Sequence, residues 1–194
     1  MTDAVKAALH DAVRAARAAL VGKLDGLGEY DVRRPMTPTG TNLLGLVKHL
    51  AGVEAGYFGD TFGRPLPDPP AWFADEVIDD DPLVDMWATP QESRAEIVGL
   101  FERVARHADA TIDALPLDAT GTVPHWPADR ATVTLGRILV HTLTDLTRHA
   151  GHADILRETI DGTAGLRAPG DNLPDREDWP AHVAKLEAAA RAAG

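Results

Sequence analysis

In the stretch HTLTDLTRHAGHADILRE, residues 141–158, three imidazoles and a carboxylate fall along one side of a single helical repeat: His141, Asp145, His149 and His152. At about 100° per residue, Leu135, Leu146 and Ala153 mark the middle of the apolar sector, and His149 lies within about 60° of it. Asp145 precedes His149 by one turn, so both side chains project from the same face. A further imidazole, His49 in LVKHLAGVE, follows Leu46 by three positions and precedes Val53 by four, which turns it inward too. A buried polar group left without a partner costs about 1–3 kcal/mol, so these groups call for a metal ion or for a hydrogen-bond network. An Asp-x-x-x-His pair with one histidine from a facing helix can share a divalent ion. Imidazole with carboxylate suits Zn²⁺, Ni²⁺ or Fe²⁺ better than Mg²⁺ or Ca²⁺, and three protein ligands leave positions open for water or substrate, as in catalytic sites. Polar pairs at i,i+4 are common on helices, so spacing alone leaves both readings open.

The elements that must position these residues are helical. Val5, Leu9, Val13, Ala16, Leu20 and Leu24 recur at three- and four-residue steps and predict a first helix over residues 3–25. After two prolines and two glycines in GEYDVRRPMTPTG, Thr39 or Thr41 is the expected cap of a second helix, with Leu43, Leu46, Val47, Leu50, Val53 and Tyr57 as its buried stripe. Residues 63–88 carry five prolines and the acidic run Asp79 to Asp81, and read as a long ordered crossover. Thr89-Pro90-Gln91-Glu92 is the expected start of a third helix running to about Leu115. The fourth spans about Thr134 to Ile160 and stops at Gly162. A short last helix over about Trp179 to Ala192 packs outside, and no segment carries a strand signal. The expected fold is all-α, a four-helix bundle with a long crossover and a short C-terminal helix, in one domain over residues 1–194.

Composition narrows the function. A formal net charge of −11 without a basic tract argues against a nucleic-acid partner. The absence of cysteine removes disulfides, thiolate metal sites and a cysteine nucleophile, so thiol chemistry would need an external thiol. Neither a signal-peptide core nor a membrane-length apolar run occurs, which predicts a cytoplasmic protein with no membrane partner.

NLLGLVKHLAGVEAGYFGDTFG followed much later by LVHTLTDLTRHAGHADILRETIDG resembles the DinB/YfiT-type metal-binding four-helix bundles, most closely a bacterial branch with RHAGHADILRE endings. In that superfamily one metal-binding histidine comes from the second helix and two further ligands from a His/Glu-x-x-x-His pair on a later one. The resemblance therefore implies His49, Asp145 and His149 as ligands. Two departures stand out: Asp145 occupies a position where His or Glu is usual, and the usual Arg-Gly-Gln continuation is Ala150-Gly151-His152, which makes His152 a substitute or supporting ligand. Family members include thiol-S-transferases and the mycothiol-dependent maleylpyruvate isomerase. The implied function is thus a metal-dependent reaction of a low-molecular-weight thiol with a small electrophile, in a bundle that commonly pairs as a homodimer. The competing expectation is a non-enzymatic bundle that binds a small ligand or partner and keeps hydrogen-bonded core histidines.

The remaining polar residues carry less. His141, near the helix start, reads as solvated or capping, and His10, His107, His125 and His182 read as surface. Glu54 suits a solvated salt bridge better than the site. Tyr57, Trp72 and Trp126 read as packing at the bundle mouth, and Arg148, Arg157, Asp154 and Glu158 as surface pairs.

Overall fold

The alanine-rich first segment forms α1, Thr2–Gly22, which buries Val13, Ala16 and Leu20, with Leu24 buried just beyond it. The structure, a computed structural model, describes residues 2–175 and 178–194. Val5, expected in the buried stripe, is half exposed. The early turns of α1 meet the end of a later helix through polar groups instead, with Lys6 Nζ donating to the Leu115 carbonyl at 2.8 Å. A short helix, α2 (Glu29–Arg33), precedes α3 (Leu43–Glu54). Asn42 caps α3, its side chain accepting from the Gly45 amide at 2.8 Å, in place of the expected Thr39 or Thr41. Asn is as good a cap as Thr and stands next to the first helical residue.

After Glu54 the chain widens into a π-helical turn, Ala55–Gly59, and tightens into a 3₁₀ turn, Asp60–Phe62, which ends at Gly63 in the left-handed region. The crossover contains a 3₁₀ turn, Ala71–Phe73, and the six-residue α4, Asp75–Asp80. The third long helix, α5, spans Arg94–Ala114 and begins later than expected: Ser93 caps it in a reciprocal box with Glu96. Both Thr89 and Ser93 are followed three residues on by Glu, and Glu92 does accept from the Thr89 amide at 2.8 Å. There the Glu92 amide donates to the Thr89 backbone carbonyl at 3.1 Å, which closes only a turn before the helix.

The expectation of no strand is corrected by β1 (Thr120–Thr122) and β2 (Thr132–Thr134), a two-stranded antiparallel hairpin pairing Gly121 with Val133. Strands of three residues are too short for an alternation to register. Gly121 is required there, because a Cβ would lie 2.4 Å from the Thr61 carbonyl oxygen. β2 runs directly into α6, Leu135–Asp161, capped by the Thr134 side chain and closed by Gly162 at φ 77°. α7, Trp179–Ala193, ends the chain and buries none of its residues.

Long helices α1, α3, α5 and α6 form the bundle. α1 lies along α6 and α3 along α5, while α3 also meets α6 and α1 meets α5, closing a ring of four. Leu43, Leu46, Leu50, Phe58, Phe101, Val104, Ile112, Ile138 and Leu146 fill its centre. The fold is all-α apart from the small hairpin.

Candidate metal centre

His49 sits in the middle of α3, and Asp145 and His149 one turn apart near the middle of α6. Because these helices pack against each other, one ligand atom from each of the three residues falls within 4.8 Å of the others, and all three side chains are half-buried. Nε2 of His149 is 3.6 Å from Asp145 Oδ1, and the His49 and His149 rings meet edge to face with centroids 5.0 Å apart. Ligands bonded to one ion at about 2.1 Å stand roughly 3–3.5 Å apart, so the group needs only a small contraction to share one.

The donor chemistry fits a divalent metal. Burial lowers the His149 imidazole below its ordinary value; Asp145 opposes this, and His49, His152 and Arg148 reinforce it. A neutral ring is the form that ligates. Its Nδ1 is buried and has no hydrogen-bond partner among the described residues. His49 is set from behind: its Nδ1 lies 2.7 Å from Asp85 Oδ2. His152 is exposed, its ring 5.5 Å from that of His149, and it stands outside the group of three.

Beside the three lies an aromatic wall. Tyr57, carried on the π turn, packs edge to face on His141 at 4.7 Å and on Trp126 at 6.0 Å, and His141 meets Trp126 at 5.2 Å. His141 is thus a packed ring rather than a solvated or capping one. Burial raises the Tyr57 phenol above its ordinary value, with a Trp126 hydrogen bond opposing and the charge of Asp145 adding to it. The phenol therefore remains an O–H donor at neutral pH. π turns inside α-helices recur at functional sites. A cleft of about 310 Å³ opens next to Asp85, between Trp72, Phe73, Ile78 and Val84, with Asp60 and Asp75 at its rim.

Two polar residues that sequence reasoning placed elsewhere lie inside. Glu54 is fully buried and pairs with Arg17 of α1 at 2.6 Å, not with solvent or the site. His10, expected at the surface, is 5% exposed, with Nε2 2.8 Å from Asp109. Both histidine and glutamate tolerate burial here because Arg17 and Asp109 complete one ionic network across α1, α3 and α5. His125 is exposed, and His107 bonds the Arg64 carbonyl oxygen at 2.6 Å.

A family model described as mycothiol-S-transferase matches residues 8–162. The chain belongs to the mycothiol-S-transferase family. The match is in keeping with the DinB-like resemblance carried by the two helical motifs, and it covers α1 from residue 8 onward with α3, α5 and α6 up to the closing Gly162, while leaving α7 outside. A search of curated proteins returned no match. Every residue of the candidate centre, and the wall and cleft beside it, lies within the part that matches the mycothiol-S-transferase family.

Asp85 is the residue of this site that sequence reading missed. Spacing does not single it out, since the crossover holds six aspartates between Asp68 and Asp85.

Proposed function

We propose that the chain is a divalent-metal-dependent transferase that joins an external low-molecular-weight thiol, mycothiol in the family's reaction, to a small electrophile. The observation that carries this reading is the approach of His49, Asp145 and His149 to within 4.8 Å, in a chain of this family. His49 and His149 are ligands, and Asp145 is the third; the exposure of His152 and its place outside the group favour Asp145 over it. A divalent cation held there supplies Lewis acidity that brings a thiol's pKa toward neutrality.

The protein's own residues do the rest. In the transfer the thiol S–H bond breaks, its proton passes to solvent, and sulfur forms a bond to the electrophilic carbon as the leaving group departs with the displaced electron pair. Tyr57, whose phenol is protonated at neutral pH, donates a hydrogen bond to the negative charge that develops on the electrophile. Trp126 and His141 limit water at that side. Asp60, Asp75 and Asp85 line the cleft and, among the described residues, no Lys or Arg does, so neutral or cationic electrophiles are favoured over carboxylates.

The test is elemental analysis of tag-free protein, wild type beside His49→Ala and His149→Ala, after loading with Zn²⁺, Ni²⁺ or Fe²⁺. The expected outcome is near-stoichiometric metal in wild type, its loss in both variants, and consumption of mycothiol with an electrophile only by the loaded wild type. Wild type that takes up no metal would refute the mechanism.

A further inference from the structure

The crossover lies on α3 along one face. Asn42, Gly45 and His49 are spaced at three and seven residues and therefore share one side of the helix, and Lys48 flanks that side. Each of them meets residues 85–87. Asn42 Nδ2 donates to the Met86 carbonyl at 3.2 Å, and Lys48 Nζ, on a side chain only 1% exposed, donates to the Trp87 carbonyl at 3.0 Å. At Gly45 a Cβ would sit 1.9 Å from the Met86 carbonyl oxygen, so the strap runs where only a glycine admits it. The fourth contact is the one to chemistry, Asp85 to His49 at 2.7 Å, with both side chains about one quarter exposed (24% and 26%).

We infer that Asp85 is a positioning residue: it fixes His49 in the Nδ1–H tautomer and so keeps Nε2 bare for the metal centre. An ionised carboxylate only accepts hydrogen bonds, so in the neutral ring at this distance the proton sits on Nδ1 and the lone pair is left on Nε2. Carboxylates in this position orient ligating histidines and raise their basicity. The backbone grips at Met86 and Trp87 hold the strap without help from Asp85, so its carboxylate is not needed to keep the segment in place. Through it, the crossover that walls the electrophile cleft also sets the ligand at the metal centre. This inference rests on the metal-site reading above.

The test uses the full chain with ¹⁵N-labelled histidine rings, metal-free at pH 8, followed by Zn²⁺ titration against a chromogenic chelator. In wild type, His49 is expected with Nδ1 protonated and Nε2 unprotonated. Asp85→Ala is expected to populate the Nε2–H form and to weaken Zn²⁺ binding roughly 10- to 100-fold, with an unchanged circular-dichroism melt. Asp85→Asn, which keeps the volume and serves if the alanine variant misfolds, is expected to fall between. Asp79→Asn, exposed on the same crossover and outside the cleft lining, should match wild type in both the His49 tautomer and the Zn²⁺ affinity. An unchanged His49 tautomer, or Zn²⁺ affinity within twofold of wild type, overturns the inference. Because the tautomer is read without metal, a wild type that binds no Zn²⁺ ends the proposed function while the tautomer still decides the role of Asp85.

Discussion

Asp161 shows how far a single carboxyl can be shifted at a helix end. Arg157, one turn before it, donates from Nε at 3.0 Å and lies 2.8 Å away through its terminal nitrogen, and the Thr163 amide donates at 2.9 Å. These hydrogen bonds, Arg157 first, lower its pKa to about 2. A carboxyl with a depressed folded-state pKa stabilises the fold above its unfolded value, about 3.9, and loses that contribution as pH falls toward 2. Asp161→Asn is therefore expected to flatten the acid limb of melting temperature against pH between about 4 and 2, while leaving the curve near pH 7 parallel to wild type. At the same scale, the three candidate ligands were legible because each lies on a helix whose period reports its direction. Asp85, Lys48 and His10 were not legible, because their partners stand 36 to 99 positions away and no local pattern reports such pairings.

Helix against helix, the ionic network is the feature with the largest predicted effect. Glu54 of α3 is wholly buried and Arg17 of α1 nearly so, and Asp109 of α5 meets the same guanidinium. Burial pushes the Glu54 carboxyl above its ordinary value, opposed by Arg17. Removing one member of a buried pair strands the other, at about 3–5 kcal/mol; since Asp109 still holds Arg17, Glu54→Ala is expected near about 3 kcal/mol by urea denaturation. The long helices themselves could be read from their apolar periods, and α6 was bounded to a residue by Thr134 and Gly162. What escaped reading was whatever depends on contact between elements: the hairpin seated on Thr61 through Gly121, the helix α2, and the choice of Ser93 over Thr89 as the working cap.

Across the molecule, the bundle and the candidate centre belong to the first 162 residues, where the family match also ends. α7 buries none of its residues. A chain ending at Asp175 is expected to melt within about 4 °C of full length, equivalent to about 1 kcal/mol at this size, and to load metal equally; differential scanning calorimetry with elemental analysis checks both. The proposed ligands lie on two helices, with His49 and His149 100 residues apart in the chain. An unfolded chain does not hold the three together, so the assembled site belongs to the native state. Under the proposed reading the metal is then also a staple: free ion at 100 times its dissociation constant adds about 2.7 kcal/mol, and the lifetime of the fold in its surroundings follows the local metal supply.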